Sequence, residues 1–392
     1  MITALRKMYE VTIMDLPRVI MVELFCKTVC KLWYNLLTCD PLFVNMYHTS
    51  RSLNFHCILL SVDHSFVSLL ELKADYDYYS SPLNRPMLLS PKFHLPPLES
   101  RTINLASKPK LEIIGSCNGF ICLMNSCTYG RTRLVYICNP LLGDCFKLKY
   151  PDKSVCHVAW GFCFSESSGQ YKLLRSVWDR PELYELEVYT LGVDKKWRNV
   201  GEVRPHPRGS LTNVNVNGFL HWMDSENHKK SASASASASI YSFNIRTEEV
   251  KSVPPPPGLE TPSSCLRLVE LGNCVCLSDN SYSQHVDIWL MKEYGIAESW
   301  TKDRILMDCI PPDIRQGIFI PIIIWKDGVI LMQSEQGTQL VSYSPKEKKF
   351  RKVNVYGSGI AVTKYVPSFY SLKTVMGDSF QVSNVYPKAK IV

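Results

Sequence analysis

The chain has 392 residues, 46% of them hydrophobic and 20% charged, and its 44 Lys+Arg against 36 Asp+Glu give a net charge of +8. A chain of this length and apolar share can bury about 75% of its unfolded surface, which excludes disordered and fibrous classes. No run reaches the ~18 apolar residues of a membrane span, since the best one, Ile318 to Trp325, is broken by Pro321. Arg6, Lys7 and Glu10 interrupt the leader, residues 1–14, which therefore lacks a continuous apolar export signal. The 15 cysteines are odd in number, scattered and set in apolar runs such as Ile121-Cys122-Leu123. They read as reduced thiols of a cytoplasmic or nuclear protein.

Residues 15–50 form the first element. Val19, Ile20 and Leu24, then Val29, Leu32, Trp33, Leu36 and Leu37, fall at helical spacing. Asp15 is placed to cap the first helix, with Pro17 in the first turn, where proline is tolerated. A second helix over Cys30 to Thr38 is predicted to stop before Asp40-Pro41.

From about residue 53 the pattern becomes short runs of Val, Ile, Leu, Tyr and Phe separated by Gly, Asn, Asp and Pro, which is strand-and-turn chemistry. Two independent markers then repeat. Turn glycines preceding an apolar strand stand at Gly119, Gly169, Gly218, Gly272 and Gly328, at spacings of 50, 49, 54 and 56. Strands followed by a polar turn and a returning apolar strand begin at Tyr136, Val188, Tyr241, Val286 and Val341, at spacings of 52, 53, 45 and 55. One period near 50 predicts a mainly all-β, kelch-like β-propeller of about six blades, since a four-stranded blade has that length. The linker and probable first blade fall at 51–105, the rest of the propeller at 106–375 and a tail at 376–392. A pair of β-sandwiches is the competing architecture, but it would not sustain a period.

Two segments interrupt the repeat. The Ser-Ala alternation of residues 231–239 reads as a flexible insertion at a blade edge. Pro254 to Pro257 cannot pair as a central strand and predicts a stiff loop leading out of a blade.

Catalytic signatures are missing: no phosphate-binding glycine loop, no G-x-S-x-G and no H-E-x-x-H. No repeated C-x-x-C nominates a metal site, and no cofactor is expected. His221, within the apolar run Phe219-Leu220-His221-Trp222-Met223, reads as a hydrogen-bonded core histidine rather than a base. Lys346, Lys348, Lys349, Arg351 and Lys352 lie in a predicted hairpin beside Glu347 with no interleaved aromatics. They read as a solvated face, not a nucleic-acid footprint.

The helical element followed by this β repeat resembles a plant F-box protein carrying an F-box-associated, kelch-like β-propeller domain. The box pattern is matched by Leu16-Pro17, Ile20, Glu23, Val29-Cys30-Lys31-Leu32-Trp33, Pro41 and Phe43. The associated domain is matched by Gly115-Ser116-Cys117-Asn118-Gly119 with Ile137-Cys138-Asn139-Pro140, and by Trp160-Gly161-Phe162 with Tyr171-Lys172. Further matches are Val188-Tyr189 with Lys196-Trp197-Arg198, and Val216-Asn217-Gly218 with His221-Trp222. The most distinctive stretch runs from Ile288-Trp289 through Tyr294-Gly295 to Ser299-Trp300-Thr301-Lys302. Between Glu23 and Val29 the family pattern carries roughly ten further residues, about three helical turns, so the box is truncated here.

The resemblance implies the substrate-recognition subunit of a Skp–cullin–F-box ubiquitin ligase, with no catalytic residue of its own. The propeller would hold a protein target. Leu16, Pro17, Ile20, Glu23, Leu24, Val29, Cys30 and Trp33 would face the Skp-like adaptor, and through it the cullin; neither nucleic acid nor membrane is an expected partner. The alternative is a degenerate copy whose propeller binds protein without adaptor coupling, and a propeller enzyme or sugar binder stands third. Target recognition is expected on one propeller face, with Trp178 to Glu182, His206 to Arg208 and Asn280 to Gln284 as candidate loops.

Overall fold

The computed structural model describes residues 39–40, 57–62, 66–71, 88–93, 110–126, 134–149, 158–180, 183–202, 214–223, 239–259, 265–282, 284–310, 312, 315, 318–325, 328–334, 339–353 and 361–384. These residues build six antiparallel sheets. Blade 2 holds β4 (Lys110–Cys117), β5 (Phe120–Ser126), β6 (Leu134–Asn139) and β7 (Asp144–Lys149). Blade 3 holds β8 (Val158–Ser165), β9 (Gln170–Arg180), β10 (Leu183–Thr190) and β11 (Arg198–Glu202). Blade 4 holds β12 (Val214–Val216), β13 (Phe219–Met223), β14 (Ile240–Asn244) and β15 (Val250–Val253). Blade 5 holds β16 (Leu266–Leu271), β17 (Cys274–Asp279), β18 (His285–Met291) and β19 (Trp300–Leu306). Blade 6 holds β20 (Phe319–Ile324), β21 (Ile330–Ser334), β22 (Gln339–Ser344) and β23 (Lys349–Val353).

Blade 1 is assembled from both halves of the chain. Its β1 (Cys57–Val62), β2 (Phe66–Glu71) and β3 (Leu88–Phe93) are joined by β24 (Ala361–Tyr365), which pairs antiparallel with β1 as Cys57↔Tyr365 through Ser61↔Ala361. The innermost strands then pack in sequence, β24 on β4, β4 on β8, β12 on β16, β16 on β20 and β20 back on β24, while β8 meets β13. The ring is closed by a late strand completing an early blade. Residues 51–105 were expected to supply the first blade; within it they supply three strands, and the fourth comes from 361–365.

Inner strands of the blades are covered on both sides and read as near-continuous apolar runs, whereas the outer strands β11, β15 and β19 are largely exposed and polar. In β6 and β17 five of six residues are buried. Leu174, Leu186 and Val188 of blade 3 pack on Leu220, Trp222 and Phe243 of blade 4. Val286 and Ile288 of blade 5 pack on Phe319, Ile330 and Met332 of blade 6. Ile58 of blade 1 joins Ile323, Leu331 and Val353 of blade 6.

Residues 366–384 continue from β24 as a strap. They pass α1 (Leu372–Met376) and end in β25 (Val382–Asn384), which pairs with β7 as a fifth strand of blade 2. Part of the segment expected to be a tail is therefore a strand. Leu372 and Met376 are buried in the cluster formed by Phe120, Phe162, Tyr171 and Tyr189. The strap crosses so closely that a Cβ on Gly119 would lie 2.1 Å from Ser368 Cβ, and one on Gly192 would lie 2.0 Å from the Val375 carbonyl oxygen. Both glycines also hold positive φ, 90° and 73°.

Candidate functional site

In a four-stranded meander the first and third turns lie at one end, and the second turn and the link to the next blade lie at the other. The propeller therefore has two unlike faces. The turn face carries the first hairpins, such as Asn118-Gly119 and Asn217-Gly218, and the short third hairpins at 140–143 and 245–249. The strap lies across it at blades 2 and 3. The opposite, loop face carries the connections between β9 and β10, between β17 and β18, and from blade to blade. Of the three candidate loops, Asn280 to Gln284 is the connection between β17 and β18 on that face. Among them the described residues place Trp178–Arg180 at the end of β9; Pro181, Glu182, His206, Pro207, Arg208 and Ser283 lie outside the described residues. Of the Ser-Ala tract, which stands between β13 and β14 in the chain, only Ser239 is described.

Several of the signature residues fasten blades to one another or to the strap. Buried Asn139 uses all four hydrogen bonds of its amide: Nδ2 donates to the Ser368 and Tyr370 carbonyls at 3.0 and 2.9 Å, and Oδ1 accepts from the amides of Leu141 and Leu142 at 2.9 and 3.2 Å. It anchors the strap, as does Asp144, which accepts from Ser371 Oγ at 2.7 Å. The Tyr171 hydroxyl reaches from blade 3 to the Asn118 carbonyl of blade 2 at 3.0 Å. Lys172 and Arg198 of blade 3 both grip Glu248 of blade 4, at 2.7 and 2.8 Å, and Arg198 holds the second carboxylate oxygen at 3.0 Å. The Arg198 hydrogen bonds come first in pushing the Glu248 carboxyl down to about 2, against its own burial.

His221 is buried as expected. Its Nδ1 lies 3.0 Å from the Val214 carbonyl, which fixes the proton there, so Nε2 accepts from the Tyr294 hydroxyl of blade 5 at 2.8 Å. Burial pushes it down to about 4, and the ring is a neutral link between blades. The Trp300 indole donates to the Pro254 carbonyl at 3.0 Å, pinning the proline run to blade 5. Pro254 and Pro255 are half-buried and Pro256 is buried, so this segment is a strut.

The loop face of blade 5 has a different character. Among the described residues the exposed large hydrophobics are Val193, Tyr282, Ile296 and Leu306. Tyr282, 46% exposed, and Leu306, 53% exposed, converge on His285. The Tyr282 ring stacks on His285 at 4.4 Å, and His285 is the register partner of Leu306 across β18 and β19. Two residues along, Arg304 grips Asp287 with two hydrogen bonds of 2.7 and 2.8 Å. Two further along, Lys302 sits 4.7 Å from the Trp289 ring. Burial would raise the Asp287 carboxyl, but the Arg304 hydrogen bonds and the charges of Arg304, His285 and Lys302 prevail and lower it. The result is a ladder of aromatic, apolar and cationic side chains beside the Asn280 to Gln284 loop. Its Tyr282, Trp289 and Arg304 are of the residue types enriched at the energetic centres of protein interfaces.

The basic cluster at Lys346 to Lys352 is the β22–β23 hairpin, with Arg351 bound to Glu347 at 2.9 Å. Among the described residues no His/Cys/Asp/Glu group is arranged to hold a metal. The predicted adaptor-facing residues Leu16, Pro17, Ile20, Glu23, Leu24, Val29, Cys30 and Trp33 lie outside the described residues. Of residues 15–50, only Cys39, helical and exposed, and Asp40 are described.

Residues 86–378 match the model of the F-box associated beta propeller domain. The chain belongs to this family. It is 28% identical over 296 residues to F-box protein At3g07870 of Arabidopsis thaliana, covering 64% of this chain and 68% of that protein. F-box protein CPR1 of the same plant is 26% identical over 297 residues, covering 68% and 67% of the two chains. The F-box/kelch-repeat protein At3g23880 is 25% identical over 209 residues, and the match spans 53% of its length. Among solved structures, Porphyromonas gingivalis dipeptidyl peptidase 4 aligns over 77% of this chain and 53% of its own, with 11% identity and a TM-score of 0.35. That likeness is too distant to bear on function.

Proposed function

We propose that this F-box-associated propeller is the target-binding part of a substrate-recognition subunit of a Skp–cullin–F-box ubiquitin ligase. Residues 15–50 would couple it to the Skp-like adaptor, and the chain would work in the cytoplasm or nucleus without catalytic residues of its own. The family match over residues 86–378 is the observation that carries this reading. A receptor of this kind acts by raising the local concentration of a target lysine near the ubiquitin-loaded enzyme, which asks for shape and affinity alone. Tyr171, Lys172, Arg198 and His221 of the family pattern are spent on joining blades, and the strap covers part of the turn face. That leaves the loop face to hold the target, with Tyr282, His285, Leu306 and Arg304 as its best-defined surface. The roughly ten residues missing from the box favour a second reading, a propeller that binds its target without the adaptor.

The Tyr282→Ala/Leu306→Asp double variant tests the target surface. The tagged full chain is recovered from proteasome-inhibited plant cells, and its associated proteins are quantified against the variant. The variant is expected to retain its fold and lose a discrete set of partners about tenfold or more, as for loss of an interface centre. An unchanged set of partners would show that the target sits elsewhere.

A further inference from the structure

Blade 2 carries a pair of thiols that nothing in the receptor reading uses. Cys138 on β6 and Cys145 on β7 are register partners in adjacent antiparallel strands. Their sulfurs are 2.7 Å apart and unbonded, closer than two thiols normally rest. Opposed residues of an antiparallel pair have Cα atoms about 4.5–5.5 Å apart, inside the ~4.4–6.8 Å window of a disulfide, so no backbone movement is needed to join them. Both are buried. Burial also pushes the Cys138 thiol up, so it stays un-ionised and inert while covered.

The end of the strap is held by the same hairpin. β25 lies along β7 with Ser383 opposite Cys145, and Ser383 Oγ donates to the Cys145 carbonyl at 3.1 Å. Asn384 Nδ2 donates to the Leu142 carbonyl at 2.9 Å, within the turn that links the two cysteines. The neighbouring pair, Asn139 and Asp144, anchors the strap at Ser368, Tyr370 and Ser371. β25 has three residues, two of them exposed, and such a strand is among the first elements to open.

We propose that Cys138 and Cys145 are a modification site, oxidised by a peroxide to a disulfide when β25 lifts from β7. One thiolate attacks a peroxide oxygen, breaking the O–O bond and giving a sulfenic acid and water. The second thiolate attacks that sulfur, forming the S–S bond and releasing a second water. Two thiols and one hydrogen peroxide thus become one disulfide and two waters. The bond closes the 138–145 hairpin and fixes the seat on which the strap docks.

Both cysteines fall in one tryptic peptide, residues 134–147. The reduced full chain is treated with hydrogen peroxide, quenched with an alkylating reagent and digested without reduction. The expected product is the 134–147 peptide two hydrogens lighter and unalkylated, while Cys276, also buried, is still recovered as a thiol after unfolding. A chain ended after Gly377, which lacks β25, is expected to form the bond about tenfold faster, and Cys145→Ala is expected to form none. Recovery of Cys138 and Cys145 as two alkylated thiols, as separate sulfinic acids or bonded to other cysteines would overturn the proposal. So would an oxidation rate indifferent to the removal of β25.

Discussion

Gly119→Ala is expected to cost more than about 3 kcal/mol, whereas Gly218→Ala, in the equivalent turn of blade 4, costs about 1 kcal/mol. The two positions share the Asn-Gly turn and nearly the same backbone, with φ of 90° and 79°. The strain of a side chain in that conformation, ~1 kcal/mol, is therefore common to both. They differ in what lies above them. A Cβ on Gly218 meets nothing within 4 Å, and one on Gly119 meets Ser368 at 2.1 Å. Because Ser368 Cβ adjoins backbone whose carbonyl is held by Asn139, relief requires lifting the strap. That exposes Leu372 and Met376, each contributing about 2 kcal/mol of burial. Urea midpoints of the two variants measure the difference. Limited proteolysis within residues 366–384 should accelerate in Gly119→Ala alone. Equal losses in both variants would show that the strap does not dock there.

Acid is expected to remove about 3 kcal/mol of stability through His221 before the carboxylates contribute most of theirs. Its pKa falls from 6.5 in the open chain to about 4 in the fold. Between those values the unfolded chain binds a proton that the native ring refuses, so stability falls as pH falls, by up to ~1.4 kcal/mol per unit. The stabilisation is fully present above pH 6.5 and is lost by about pH 4. Glu248, half-buried and held down to about 2 chiefly by its Arg198 hydrogen bonds, adds its loss only below the ordinary carboxylate range. Urea titrations at half-unit steps from pH 7 to 5 read this loss, and the difference from a His221 variant separates it from the other eight histidines. His221→Gln, which preserves an amide donor and acceptor, should start less stable and show a flatter slope. A wild-type curve flat over that window would contradict a neutral, buried His221.

Most of the propeller was legible because its turns are chemically constrained. The five turn glycines mark the first hairpins of blades 2 to 6, and the strands beginning near Tyr136, Val188, Tyr241, Val286 and Val341 open the third hairpins of the same blades. Two markers held in phase specify a repeat, where either one alone would be a list of turns. His221 was legible for a similar reason: a histidine inside FLHWM has no route to water.

The closing strand of blade 1 and the strap were not legible. β24 reads only AVTKY, and nothing local says that its partner lies some 300 residues earlier, because ring closure is a property of the whole repeat. The strap's anchors stood in plain view as Asn139 and Asp144, but a polar residue after an apolar strand reads as turn chemistry until its partner is known. The Tyr282–His285–Leu306 surface was reached only as a loop; the exposed Leu306 that completes it comes from β19, across the register. Tyr171, Lys172, Arg198 and His221, which suggest function when read in sequence, proved to be fasteners between blades.

Coupling to the adaptor is the claim on which the receptor reading turns. The most direct measurement is co-elution of the purified full chain with a purified Skp-like adaptor in size-exclusion chromatography, beside the Leu16→Ala/Trp33→Ala variant. A stoichiometric complex with the chain, lost in the variant, is the predicted result. Separate elution of the folded chain and the adaptor would contradict the account and leave the propeller as an uncoupled binding module.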